Sequence, residues 1–264
     1  MVGIIIIGDE ILSGRRLDKH LTKAIELLGE RRMTLSWARY VGDDPDLITA
    51  NLRDAFALGD VVFSFGGIGA TPDDHTRSCA ARATGRELVL HPNARDLILE
   101  RSREMAEEAG QLFDPSSEDS LRRLQMGFFP QGADIITNPY NKIPGFSMEG
   151  RVHFLPGFPV MAWPMMAWVL DHLHADLHGH SAVREKSILV YGGIESLLTP
   201  LMISIEARFA PVKVFSLPSV DHPVHGRHIE LGVKGSTDLV DDAFDALLDG
   251  LHHHGASCGT ISVR

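Results

Sequence analysis

An apolar run that stops on glycine and acid occurs three times in the first 75 residues, with a helical interval between one and the next. Residues 2–7 (VGIIII) are unbroken and largely β-branched, and end in "GDE" at 8–10. Residues 34–41 (TLSWARYV) end in "GDD" at 42–44, and residues 60–65 (DVVFSF) end in "GGIGATPDD" at 66–74. A continuous apolar run reads as a strand buried on both faces, the usual state in a parallel sheet. Between the runs, Leu21, Ala24, Ile25 and Leu28 follow Asp18 at helical spacing. Asp44 offers an N-cap, with Pro45 at the first position of a helix running to about Leu58. This alternation predicts a parallel α/β sheet with right-handed crossovers. Ligands bind such sheets outside the carboxyl ends of the strands, where these glycines and acids fall.

Further along, helices are predicted at 74–84, 93–109 and 117–126. Residues 127–151 are rich in Gly, Pro and Asn and read as a long loop with one short strand at 134–137. "RVHFLP" resumes as a strand, and "GFPVMAWPMMAWVLDHL" as an apolar helix. Residues 178–186 read as a linker. Beyond it the pattern predicts strand 187–191, helix 195–208, strands 212–217 and 227–234, and helix 237–251. The expected division is an α/β domain over 1–178 and a small appended α+β domain over 186–264.

Composition narrows the partners. Lys plus Arg number 25 against 35 Asp plus Glu, a formal net charge of −10. That argues against a nucleic-acid binder, which needs a basic footprint, and leaves room for a small phosphorylated ligand in a local pocket. Cys79 and Cys258 form no CxxC pair or disulfide framework, and residues 1–7 are too short and uncharged to read as a signal peptide. No apolar run approaches membrane-spanning length. A cytoplasmic protein without a membrane partner is expected.

The stretch 66–77, "GGIGATPDDHTR", carries the most chemistry. Thr71 reads as an N-cap, Pro72 as the first helical position and Asp74 as the third, so Thr71 and Asp74 can form a capping box. The free N–H groups at such a helix start suit an anion. On one reading the aspartates only cap helices. On the other, backbone N–H groups hold phosphate while carboxylates hold a divalent cation bridging to it. Acids at three strand ends favour the second. The stretch matches neither the Walker pattern nor GxGxxG.

"GDEILSGRRLD" (8–18), "VGDD" (41–44), "GGIGATPDDHTR" (66–77), "NPYNKIPGF" (138–146) and "LPGFP" (155–159) together resemble the N-terminal region of the competence/damage-inducible protein A (CinA) family. "YGGIESLLTPLM" (191–202) resembles the start of that family's small middle domain. The resemblance implies a molybdopterin-binding-like fold of the MoaB/MogA type: a three-layer, mostly parallel α/β sheet, with a small α+β domain appended. It departs from the family at Ala70, where Pro is common, and at His20, where Asn is common. The chain stops at Arg264, short of the family's C-terminal deamidase domain, so nicotinamide mononucleotide deamidation is not expected.

The resemblance implies two activities. One is divalent-metal-dependent hydrolysis of nucleotide pyrophosphates such as ADP-ribose or FAD, with Mg, Mn or Co as the metal. The other is binding or adenylylation of molybdopterin. The hydrolase is preferred, and a non-enzymatic, homo-oligomeric carrier of a pterin or nucleotide remains a third reading. On the preferred reading, Asp9, Asp43, Asp73 and Asp74 ligate metal, and Asp73, Asp74 and Glu10 serve catalysis. Gly66, Gly67, Gly69 and Thr71 cradle phosphate. Gly8, Gly14, Asp18, Asn138, Pro156 and Gly157 form the pocket wall.

Other groups receive plain structural readings. His172, His174, His178 and His180 are expected on a solvated surface. His222, His225 and His228 are placed in a turn between strands, and His252–His254 at a helix C-terminus, which favours cations. Cys79 is a small buried filler, and the Met and Trp residues of 161–168 belong to a helix core.

Overall fold

The computed structural model describes residues 1–179 and 183–263. His180 and part of the 178–186 linker reading lie outside the described residues. The chain forms two compact units, Met1–His180 and Ser181–Arg264.

The first unit runs β1 (Val2–Ile7), α1 (Asp9–Leu12), α2 (His20–Glu30), β2 (Trp37–Val41), α3 (Pro45–Leu58), β3 (Val61–Phe65), α4 (Thr76–Thr84), β4 (Leu88–Leu90), α5 (Pro92–Glu108) and α6 (Glu118–Leu124). It continues with β5 (Phe128–Pro130), β6 (Asp134–Ile136), β7 (Gly145–Met148), β8 (Val152–Leu155) and α7 (Pro159–Leu173). The main sheet has the order β2-β1-β3-β8-β7-β6. β2, β1, β3 and β8 are parallel, and β7 and β6 close the edge antiparallel.

Every residue of β1 is buried, as its sequence requires. Val2, Ile4 and Ile6 pack on one face with Leu27 and Leu28 of α2 and Met165, Met166 and Val169 of α7. Ile5 and Ile7 pack on the other with Ile48 and Leu52 of α3, Ala80 of α4 and Ala94 of α5. The alternation that sends successive β1 side chains to opposite faces therefore builds a three-layer α/β unit. α3 begins as its sequence predicts. The Asp44 carboxylate accepts from the N–H groups of Asp46 (2.9 Å) and Leu47 (2.8 Å), Pro45 opens the helix, and Gly59 closes it at φ 72°.

Three sequence expectations are corrected here. The stretch 127–151 holds three short strands, β5, β6 and β7, where one was expected. The fully buried β7 pairs with both β6 and β8. The helix expected at 74–84 begins at Thr76, so Thr71 is not its N-cap. His174 is not on a solvated surface: it is buried, with Nε2 2.7 Å from Nε2 of the buried His153. The chain after α7 turns back toward β8 at that point.

The second unit contains β9 (Val183–Tyr191), α8 (Glu195–Arg208), β10 (Lys213–His222), β11 (Gly226–Ser236), α9 (Thr237–His253) and β12 (Ser257–Val263). Its sheet has the order β10-β11-β9-β12 and is antiparallel throughout. Val190, Leu231 and Val233 of the sheet pack with Leu198 of α8 and Phe244 and Leu247 of α9. It is an α+β unit with its own core, and β12 had no counterpart in the sequence reading.

Candidate functional site

Four parallel strands end side by side, each on a turn-forming residue: Gly8 after β1, Gly42 after β2, Gly66 after β3, and Pro156-Gly157 after β8. From β1 the chain goes first to β2 on one side, and β3 then enters on the other. The strand order thus reverses between β1 and β3, where an open α/β sheet leaves a crevice. A cavity of about 420 Å³ lies there. Gly8, Glu10, Asp43, Gly66, Gly67, Gly69, Thr71, Asp73, Asp74, Asn138, Pro156 and Gly157 all line it.

Three of the residues named from sequence do not line it. Asp9 exchanges bonds with Asp43: the Asp9 N–H donates to Asp43 Oδ2 (2.8 Å) and the Asp43 N–H to Asp9 Oδ1 (3.2 Å). The Asp18 carboxylate accepts from the N–H groups of His20 (2.7 Å) and Leu21 (3.1 Å) and from the Tyr40 hydroxyl (2.8 Å). Burial, with Asp18 adding to it, pushes the Tyr40 phenol up to about 12. Gly14 has φ 72°, and a side chain there would meet nothing within 4 Å.

The loop after β3 is held from behind. Thr76 Oγ1 donates to the Gly66 carbonyl (3.0 Å) and its N–H to the Gly67 carbonyl (3.0 Å). The Arg77 guanidinium, buried beneath the loop, donates to the Gly69 carbonyl (2.6 Å) and to the Gln125 carbonyl. Asp74 Oδ2 accepts from both the N–H (2.8 Å) and the hydroxyl (2.5 Å) of Thr71. Residues 71–74 therefore close as a turn of their own. The Thr71–Asp74 pairing exists, but it braces the loop and does not cap α4.

These contacts leave the front of the loop free. Among the described residues, the N–H groups of Gly67, Ile68, Gly69 and Ala70 donate to no protein acceptor, whereas those of Gly66, Thr71, Asp74, His75 and Thr76 do. Four successive unpaired amides along a cavity wall form a ready cradle for an anion.

Glycine at position 66 is also a packing requirement. It has φ 100°, and a Cβ would lie 2.4 Å from the Ile7 carbonyl oxygen. Gly66→Ala is expected to cost on the order of 3 kcal/mol through backbone strain and overpacking. Urea unfolding followed by tryptophan fluorescence checks this, and wild-type stability would refute the packing argument.

Negative charge converges on Asp43. Burial pushes its carboxyl up, the Asp9 N–H pulls it back down, and the nearby charges of Asp9, Glu10 and Asp73 push it up again. The four carboxylates named as ligands do not form one cluster, since Asp9 is turned to the Asp43 amide and Asp74 to Thr71. Among the described residues, no group of three or more His, Cys, Asp or Glu side chains is arranged to hold a metal ion.

Sequence reasoning gave no role to Arg16, Thr76 or Arg77. Arg16 lines the cavity, with Nη1 3.7 Å from Glu10 Oε1 and the guanidinium 5.9 Å from the centre of the Phe158 ring. Asn138 is a wall whose amide nitrogen is fully used: it donates to Asn141 Oδ1 (2.8 Å) and the Ile143 carbonyl (3.0 Å), while Oδ1 accepts from the Tyr140 N–H (3.0 Å). Among the described residues no helix is long and apolar enough to cross a membrane.

The family model described as a probable molybdopterin binding domain matches residues 3–175. A CinA-like protein of Anaeromyxobacter sp. (strain K) is 32% identical over 180 residues, covering 67% of this chain and 42% of that protein. One from Mycobacterium marinum (strain ATCC BAA-535 / M) is 34% identical over 212 residues, covering 77% of this chain and 49% of that protein. The chain thus spans less than half the length of either relative. The crystal structure of CinA from Thermoplasma acidophilum, a protein of unknown function, is similar at a TM-score of 0.54 and 27% identity, covering 65% of this chain and 96% of that one.

Proposed function

The chain belongs to the family of probable molybdopterin binding domains, and from that premise we propose that it is a divalent-metal-dependent hydrolase of nucleotide pyrophosphates such as ADP-ribose. The observation that carries the reading is the row of free amides from Gly67 to Ala70 on a cavity also lined by Glu10, Asp43 and Asp73. Phosphate oxygens would accept from those amides, and Arg16 adds a positive charge at the same wall. The donor set fits a cation held by one or two carboxylates and completed by phosphate oxygens. Repulsion among Asp9, Glu10, Asp43 and Asp73 is the kind a divalent ion relieves. Asp43 and Asp73 would hold it, and when bound it supplies neutralisation of charge developing on the pyrophosphate. Glu10, on the same cavity wall, would accept a proton from the attacking water. Asp74, bound to Thr71, positions the loop.

A second reading, binding or adenylylation of molybdopterin, is favoured by the description of the family model. Purified protein incubated with ADP-ribose and FAD, with and without Mg²⁺, Mn²⁺ or Co²⁺, separates the two. The hydrolase reading expects metal-dependent release of AMP. No turnover with any of the three metals, together with tight molybdopterin binding, would replace it with the second reading.

A further inference from the structure

Three histidines meet where β10 turns into β11. His222 ends β10, His225 lies in the turn, and His228 follows on β11. The ring centres are 4.9 Å apart for His222 and His225, 5.3 Å for His222 and His228, and 5.9 Å for His225 and His228. From β9, the Tyr191 hydroxyl faces His225 Nδ1 at 3.3 Å. The Tyr191 ring in turn lies over Gly259 of β12, where a Cβ would sit 2.6 Å from it.

A proton would act differently on each ring. His228 Nδ1 lies 2.9 Å from the Gly226 carbonyl, which can only accept, so that nitrogen donates and its bond survives protonation of the other. His225 Nδ1 faces a hydroxyl, which can donate or accept. His222 has no such freedom. Its Nδ1 accepts from the backbone N–H groups of Val224 (3.3 Å) and His225 (3.1 Å), which can only donate. That nitrogen must be bare, and a proton on it would face two N–H groups. His222 therefore closes the turn only as the neutral ring.

We propose that the β10–β11 hairpin carries an acid-released latch: neutral His222 holds the turn closed, and its protonation frees residues 221–227 while the rest of the sheet stays paired. The ladder sets that limit. It runs from Lys213 opposite Lys234 to Ser219 opposite His228, is interrupted, and leaves His222 opposite Gly226 alone at the tip. Val220 and Val224 are 66% and 79% exposed, so little packing holds the tip in place of the latch. The charges around the cluster do not offset added protons. Arg227 adds positive charge and Asp221 is exposed. Glu230, the next residue of β11 on the His228 face, accepts from Ser187 Oγ (2.6 Å). Among the described residues, the only histidine ion-paired with a carboxylate is His178. Protons taken up by His225 and His228 would place like charges well inside the roughly 8 Å screening length of physiological salt, which favours the open tip further.

Nitrogen-15 NMR of the full chain tests this between about pH 8 and pH 5, the range in which imidazoles change charge. At the upper end the His222 ring is expected in the Nε2–H tautomer. Toward the lower end, protection of the Val224 and His225 amides, taken relative to the intrinsic exchange rate at each pH, is expected to fall severalfold. The Ile229 and Leu231 amides should hold theirs. His222→Asn supplies a side-chain oxygen that can accept from the same two amides and cannot take up a proton in this range. In that variant, protection at Val224 and His225 is expected to stay level. An Nδ1–H tautomer for His222 in the wild type at about pH 8 overturns the latch without need of any variant. So does an equal fall in wild type and His222→Asn, or a loss that spreads to Ile229 and Leu231.

Discussion

Asp43→Asn and Asp73→Asn are each expected to lower metal-dependent ADP-ribose hydrolysis by about a hundredfold or more, with little change in metal-free melting temperature. At Asp43 the amide oxygen of asparagine can still accept from the Asp9 N–H, now 2.8 Å from Oδ2. Burial and the charges of Asp9, Glu10 and Asp73 already work against the Asp43 carboxylate. Removing its charge therefore relieves repulsion in the folded state. Asp73 is exposed, so its replacement leaves no buried group unpaired. Asp74→Asn should behave differently. It weakens the grip on the Thr71 N–H and hydroxyl, costing roughly 1 kcal/mol, and reduces activity less than its neighbours do. A metal titration separates ligation from proton transfer, because excess cation restores part of the activity only where a ligand was lost. Full turnover in Asp43→Asn, Asp73→Asn and the double variant would remove both carboxylates from the mechanism.

The parallel half of the sheet was legible because burial on both faces leaves a compositional trace. In VGIIII no polar residue interrupts the run, and the observed strand is buried at every position. β7 carries no such trace. Its residues, Gly145-Phe146-Ser147-Met148, include a glycine and a serine inside a Gly- and Pro-rich stretch, yet all four are buried between β6 and β8. Pairing partners far along the chain make it a strand, and short-range pattern has no access to them. The start of α4 was misread for a related reason. The Thr71-Pro72-Asp73-Asp74 signal is genuine local chemistry, and the Thr71–Asp74 bonds form. The Thr76 N–H and hydroxyl are claimed by Gly67 and Gly66, so the helix starts from that anchor.

The site shows the same division. Glycines and acids at strand ends pointed to a crevice there, and the cavity lies at that place. Arg77 was invisible as a loop anchor, since an arginine within a helix ordinarily reads as solvated. Its burial against the Gly69 and Gln125 carbonyls is a tertiary fact. Asp18 illustrates the converse. It stood in a promising motif, and its carboxylate is spent on two helix amides and Tyr40.

Acid should destabilise the first unit through a group that does not line the cavity. His153 on β8 is fully buried, with Nδ1 2.9 Å from Ser147 Oγ and Nε2 2.7 Å from Nε2 of His174. One of those two facing nitrogens must carry a proton and the other must be bare, so protonating both rings would set two N–H groups against each other. Burial, with the His174 ring adding to it, pushes His153 down from its ordinary 6.5 to about 3. Burial lowers His174 as well, with Asp176 partly opposing. The unfolded chain binds the His153 proton near its ordinary value and the folded chain does not. Stability is therefore complete above about pH 6.5 and falls as pH drops toward 3. At pH 5 the loss is about 2 kcal/mol from His153 alone, before most carboxylates titrate. Trp37, Trp163 and Trp168, the three tryptophans of the chain, all lie in the first unit, so their fluorescence follows its unfolding. His153→Gln keeps a polar side chain that does not titrate. Wild type is expected to be more stable than His153→Gln at pH 7.5, with the gap narrowing by about 2 kcal/mol at pH 5. Parallel stability profiles for the two proteins between pH 7.5 and pH 5 would show that the buried imidazole takes up its proton in the folded state as readily as in the unfolded chain.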